Sequence, residues 1–233
     1  MTKHIGIVAC SAEGAALCYR TICIEGANLM GRYAHPEVTM HTFPLNQYIR
    51  YIEAGDWENV ASLMLSSVAK VAKAGADFAI CPDNTIHQAF DLVVKKSPIA
   101  WLNIAEEVAA EAKRQNYKCV GVLGTRFLME SPVYPTKLTA MGIEHRIPKV
   151  KDREHINEII FNELVYGCFS SETRAYFKEV IGRLKNQGCD AVVLGCTEIP
   201  LLVTQESSPL PMLDSTRLLA RAALKEATGT TSQ

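Results

Sequence analysis

The chain has 233 residues, and 48% apolar against 21% charged residues describes a folded globular protein and excludes disorder as its main state. Its 24 Lys and Arg balance 25 Asp and Glu to a net charge of -1, which leaves no basic field for nucleic acid or an anionic membrane. No apolar stretch is long enough to span a bilayer, and the opening MTKHIGIVACSAEG lacks a secretory signal pattern, so a cytoplasmic location is expected.

IGIVAC (5–10) reads as a buried strand and AALCYRTICIEGANLM (15–30) as a helix. VTMHTFPL (38–45) alternates like a strand. WENVASLMLSSVAKVAKAG (57–75) is an amphipathic helix ending at a glycine. DFAICP (77–82) is a second core strand, followed by a helix over 104–116, a strand CVGVLG (119–124) and a helix near 172–187. AVVLGC (191–196) is a strand, STRLLARAALKEA (215–227) a helix, and the polar tail TGTTSQ is expected to fray. Strands alternating with helices in this way predict an α/β protein with parallel sheets.

Eight cysteines, at 10, 18, 23, 81, 119, 168, 189 and 196, lie scattered with no CxxC or zinc-ribbon spacing. In a reducing compartment most are expected to be small core residues. Cys81, His87 and Cys196 form no recognisable ligand pattern, and no metal site is expected.

The chain also repeats itself. GADFAICPDNT (75–85) and GCDAVVLGCTE (188–198) align without a gap at an offset of 113, and Pro98 matches Pro211 at the same offset. HIGIVACS (4–11) resembles CVGVLGTR (119–126) at an offset near 115. Two similar lobes related by a pseudo-two-fold axis follow, with the ligand site in the cleft where equivalent strand ends meet. The alignment sets Asp83 opposite Cys196, Asn84 opposite Thr197 and Thr85 opposite Glu198. Two ionisable groups on opposite sides of a cleft suit proton transfer at carbon, where inversion needs a base on one face and an acid on the other. Asn84, Thr85, Thr197 and neighbouring backbone N–H groups can hold a substrate carboxylate, and so can Ser11 in the first strand-to-helix turn. ACSAEG around Ser11 offers no dinucleotide fingerprint.

IGIVACSAEG, CPDNTIH, LGTRFLMES, GCTEIP and LDSTR together resemble the aspartate/glutamate racemase family, over nearly the whole chain. The resemblance implies cofactor-independent racemases of small amino acids, commonly homodimers. It implies a first lobe of residues 1–98 plus 212–233, a second of 99–211, and two residues, usually both cysteines, that exchange the proton at Cα. Those two positions are Asp83 and Cys196 here. The chain departs from the family pattern at three places. Asp83 replaces a cysteine, and a carboxylate titrating near about 3.9 is a weaker base than a thiol near about 8.5; Cys81, two residues away, and a helix-capping role for Asp83 both bear on that position. Leu128 stands where a threonine often holds the α-carboxylate, leaving Thr125 and backbone N–H groups. Arg50 is the match for the basic residue that takes a distal carboxylate, or else a solvated helix residue, whereas the stretch 159–167 carries Glu163 and no Lys or Arg.

Glu198 orients Cys196 or the substrate ammonium, or decorates a helix start. His87 relays a proton or packs. Besides a racemase, two readings stay open: a decarboxylase or cis–trans isomerase of a small carboxylic acid using Cys196 alone, and a catalytically silent carboxylate-binding protein.

Overall fold

A computed structural model describes residues 2–229; residues 230–233 of the tail lie outside the described part. The chain forms two compact units, one running to Ile104 and resuming at Thr216, the other Ala105–Ser215.

The first unit begins with β1 (Ile5–Ala9) and α1 (Ala12–Met30), then β2 (Val38–Thr42), α2 (Leu45–Glu53) and α3 (Trp57–Lys73). β3 (Phe78–Ile80), a 3-10 turn (Thr85–Ala89), α4 (Phe90–Val94) and β4 (Ala100–Trp101) follow. Its sheet is wholly parallel in the order β2-β1-β3-β4. Ile5, Ile7, Phe78 and Ile80 of the sheet pack with Cys18 and Ile22 of α1 and with Leu219, Ala220 and Ala223 near the chain's end. The core strands are apolar on both faces because helices cover both.

After α5 (Ile104–Arg114), the second unit contains β5 (Cys119–Leu123), α6 (Arg126–Met129), α7 (Val133–Ala140), β6 (Glu144–Arg146) and α8 (Val150–Asn162). α9 (Ser171–Asn186), β7 (Ala191–Leu194), α10 (Ile199–Leu202) and β8 (Met212–Asp214) complete it, and α11 (Ser215–Thr228) ends the chain. Its sheet is also wholly parallel, in the matching order β6-β5-β7-β8.

The internal repeat is a structural one. Ile5 pairs with Phe78 in one sheet and Val120 with Ala191 in the other, which reproduces offsets of 115 and 113. α3 and α9 end alike: Gly75 and Gly188 take φ of +103° and +90°, a conformation that favours glycine. The Ala76 N–H donates to the Val71 carbonyl, as Cys189 N–H does to Leu184. Asp77 then accepts the His4 N–H at 2.7 Å, and its equivalent Asp190 accepts the Lys118 N–H at 2.7 Å. Each carboxylate thus ties the entry of one central strand to the entry of its neighbour. At β4 and β8 the sequence alignment slips: Phe78 pairs with Ala100, whereas the Val192 N–H bonds to Pro211, so Pro211 corresponds to Ala100 and not to Pro98.

The unit boundaries fall at 104/105 and 215/216, a few residues beyond 98/99 and 211/212. The reason is that β4 and β8 each complete their own sheet before the chain leaves it. Strands of two and three residues are too short for periodicity to register. β2 stops at Thr42 because Pro44 has no N–H to continue the ladder and instead starts α2. α1 starts at Ala12, earlier than its apolar pattern, because Ser11 caps it.

Candidate active site

In the first unit Ile7 pairs with Ile80, so Cys10 and Asp83 leave their strands level with each other. Ser11 accepts the Gly14 N–H at 3.3 Å and caps α1. Asp83 is half-buried and accepts the Ile86 N–H on Oδ1 at 3.1 Å, which caps the 3-10 turn. Asn84 and Thr85, next in the chain, are buried. Cys81 is fully buried, and burial together with the neighbouring Asp83 charge pushes its thiol well above the ordinary range. It is therefore a neutral thiol and no substitute base for Asp83.

His87 is locked in place. Its Nδ1–H donates to the Asp83 carbonyl at 2.6 Å, and its Nε2 accepts the Ile104 N–H at 3.3 Å. Both ring nitrogens are engaged, the ring stacks on Phe90, and the histidine is neutral scaffolding that ties the turn after β3 to the start of α5. This is the packing role and not the relay. Arg50 is exposed beside the Tyr51 ring, whereas Tyr48 and Ile52 are the buried residues of α2.

In the second unit Leu123 pairs with Leu194, so Thr125 and Cys196 are level. Thr125 accepts the Leu128 N–H at 3.2 Å and caps α6. Gly124 and Gly195 let the two strand ends approach: the Gly195 N–H reaches the Leu123 carbonyl at 2.7 Å, and a Cβ on Gly195 would lie 2.5 Å from Leu128 Cδ2. Leu128 is buried over both glycines and acts as packing where a threonine would be a ligand. The Cys196 thiol donates to Glu198 Oε2 at 2.9 Å, and the Thr197 hydroxyl donates to the same oxygen at 2.9 Å. Cys196, Thr197 and Glu198 are all buried. Glu198 therefore orients Cys196, and its carboxylate meets the cost of burial with two donors. Glu163 accepts from Thr173 at 2.6 Å, so its role is local.

Two groups escape sequence reading. Tyr48 is wholly buried on α2, and Ser215, within the resemblance-bearing LDSTR, donates to the carbonyl of Leu194, the last residue of β7, at 2.8 Å. An aromatic in the first turn after β2 was the available signal for Tyr48; nothing in the pattern reveals its hydroxyl's surroundings. Among the described residues no group of three or more His, Cys, Asp and Glu could hold a metal ion, and no helix is long and apolar enough to cross a membrane.

The chain is thus a two-unit α/β protein, with the Cys196 thiol beside buried Glu198 after a strand of one unit and the capped Asp83 after the equivalent strand of the other. The sequence matches the Asp/Glu/Hydantoin racemase family over residues 10–223, and the chain belongs to that family. An Asp/Glu racemase-like protein from Yersinia pestis has the same fold at a TM-score of 0.88 and 31% identity, over 97% of this chain and 99% of that one. An aspartate racemase homologue from Pyrococcus horikoshii gives a TM-score of 0.82 at 26% identity, again over 97% and 99%. The broad specificity amino-acid racemase RacX of Bacillus subtilis is 24% identical over 173 residues, 72% of this chain and 73% of that protein.

Proposed function

We propose that the protein is a cofactor-independent amino-acid racemase in which Asp83 and Cys196 exchange the α-proton on opposite faces of one substrate carbon. The observation that carries this reading is the Cys196 thiol held at 2.9 Å by buried Glu198, at the strand end equivalent to that of Asp83. The carboxylate acceptor fixes the sulfur and favours its proton-bearing form. Paired with an ionised Asp83, the resting site then holds one proton for two catalytic groups, one ready to accept and one ready to donate. Asp83 takes the α-proton, the electron pair moves into the substrate carboxylate, and the Cys196 thiol protonates the opposite face. The enantiomer runs the same steps backwards, with thiolate as base and the Asp83 acid as donor. No electrons enter or leave.

Ser11, Asn84, Thr85, Thr125 and Thr197 are the carboxylate-holding groups in this reading, since hydrogen bonds that strengthen as charge gathers on the carboxylate lower the barrier. Arg50, exposed on α2, is the basic candidate for a distal carboxylate, and the stretch 159–167 adds no second Lys or Arg. The substrate is then not confined to dicarboxylic amino acids, in line with the breadth carried by the name of the Bacillus subtilis relative. The working form in this reading is a cytoplasmic homodimer.

The test is a panel of L- and D-amino acids in deuterated water, followed by NMR for loss of the Cα proton. Wild-type protein is expected to exchange and invert at least one amino acid, and Cys196→Ala to abolish both while keeping its fold. Full activity in Cys196→Ala, or binding without exchange across the panel, overturns the reading.

A further inference from the structure

Tyr48 is fully buried, and its hydroxyl has no hydrogen-bond partner. Backbone geometry places it at the same edge of the first sheet as the catalytic aspartate. β2 pairs with β1 through Ala9 opposite Thr42, and α2 begins three residues later at Leu45, so Tyr48 lies in the helix's first turn just past the strand ends. Cys10 and Asp83 leave β1 and β3 at that edge. Cys10, Cys81 and Asp83 all act electrostatically on the Tyr48 phenol, in keeping with that placement. Phenylalanine would fill the same space without burying an unpaired hydroxyl. The hydroxyl therefore adds nothing to the packing of this unit.

We propose that Tyr48 is a positioning residue for the racemisation, its buried O–H dipole directed toward the Asp83 carboxylate and holding that carboxylate ready to accept a proton. The inference rests on the reading of Asp83 as a catalytic base. Of the three neighbours, Asp83 is the charged acceptor, whereas Cys81 stays a neutral thiol and thiols accept weakly. Hydrogen bonds to an ionised acceptor are roughly twice as strong as neutral ones. Burial above all, with the neighbouring Asp83 charge adding to it, pushes the phenol above its usual range, so it remains a donor throughout any working pH. Titratable groups around the pair include Cys10 after β1, Cys81 just after β3, Cys18 of α1 near Cys81, and His87, whose ring donates to the Asp83 carbonyl.

Tyr48→Phe separates the two jobs of the residue. The ring is kept, so the thermal midpoint should stay or rise. Carbon-13 carboxyl NMR, with the Asp83 signal assigned by its loss in Asp83→Asn, should show Asp83 titrating about 0.5–1 pH unit higher in Tyr48→Phe. The acidic limb of kcat/KM should move with it, an about 3- to 10-fold loss of rate at a pH on that limb. A limb and an NMR midpoint unchanged in Tyr48→Phe overturn the proposal, and so does a variant that loses stability with Asp83 titrating as before. Asp83→Asn tests the underlying reading separately. If it still racemises, Asp83 is not the base, whatever Tyr48→Phe does to the titration; if it is inactive while Tyr48→Phe leaves Asp83 unmoved, only the Tyr48 proposal falls.

Discussion

Gly195 is the residue on which the position of Cys196 depends most directly, and Gly195→Ala tests that. A methyl there would sit 2.5 Å from Leu128 Cδ2 and 2.8 Å from the Leu123 carbonyl oxygen. The leucine can rotate, but the carbonyl cannot, because it already accepts the Gly195 N–H at 2.7 Å within the β5–β7 edge. Overpacking of this kind costs about 1–3 kcal/mol, and a displacement near 1 Å at a reacting group can cost about 100-fold in rate. Leu128→Ala alone should cost about 2–5 kcal/mol through the cavity it leaves over the two glycines. In the double variant the new methyl occupies part of that cavity, so the losses should fall short of their sum by about 0.5–3 kcal/mol. Residual strain against the Leu123 oxygen should keep turnover low. Urea unfolding of the four proteins measures the cycle, and the deuterium-exchange assay measures Cys196. Additive losses, or a Gly195→Ala protein with wild-type stability and rate, would refute the packing argument.

Three further outcomes are expected. Asp83→Cys should preserve or raise racemisation if the carboxylate stands in for a thiol base; complete inactivity in a folded protein would assign Asp83 a different task. Glu198→Gln should speed alkylation of Cys196 by iodoacetamide, since a neutral amide no longer opposes the thiolate; mass spectrometry of the labelled peptides reads this against exposed Cys168 as fast control and Cys189, whose thiol burial pushes up to about 12, as slow control. An unchanged Cys196 rate would remove Glu198 from control of the sulfur. Asp77→Ala and Asp190→Ala should destabilise by similar amounts, about 1.5–3 kcal/mol each, because both carboxylates, at equivalent positions, accept backbone N–H groups at the entry of the neighbouring central strand, His4 for Asp77 and Lys118 and Cys119 for Asp190; urea melts that differ widely would deny the equivalence.

Much of this protein is written locally. Strands β1, β3, β5 and β7 are contiguous apolar runs, and Ser11, Thr125 and Asp83 cap turns three residues ahead of them, so short stretches of sequence carry enough information to place them. The repeat at offsets of 113 and 115 is legible for the same reason: the helix-ending glycines, the tethering aspartates and the core strands recur as intact local units. What the sequence left open depends on partners distant along the chain. His87 is scaffolding because Ile104 supplies its second bond, and Leu128 is packing because Gly195, on another strand, leaves room for it. Tyr48 matters because β2 and α2 carry its hydroxyl into the neighbourhood of residues far from it in the sequence. Periodicity and capping determined the elements, and the internal alignment with the family resemblance named Cys196 and Asp83; only tertiary packing decided which polar groups around them are occupied, because burial and hydrogen-bond partnership arise when separate segments meet.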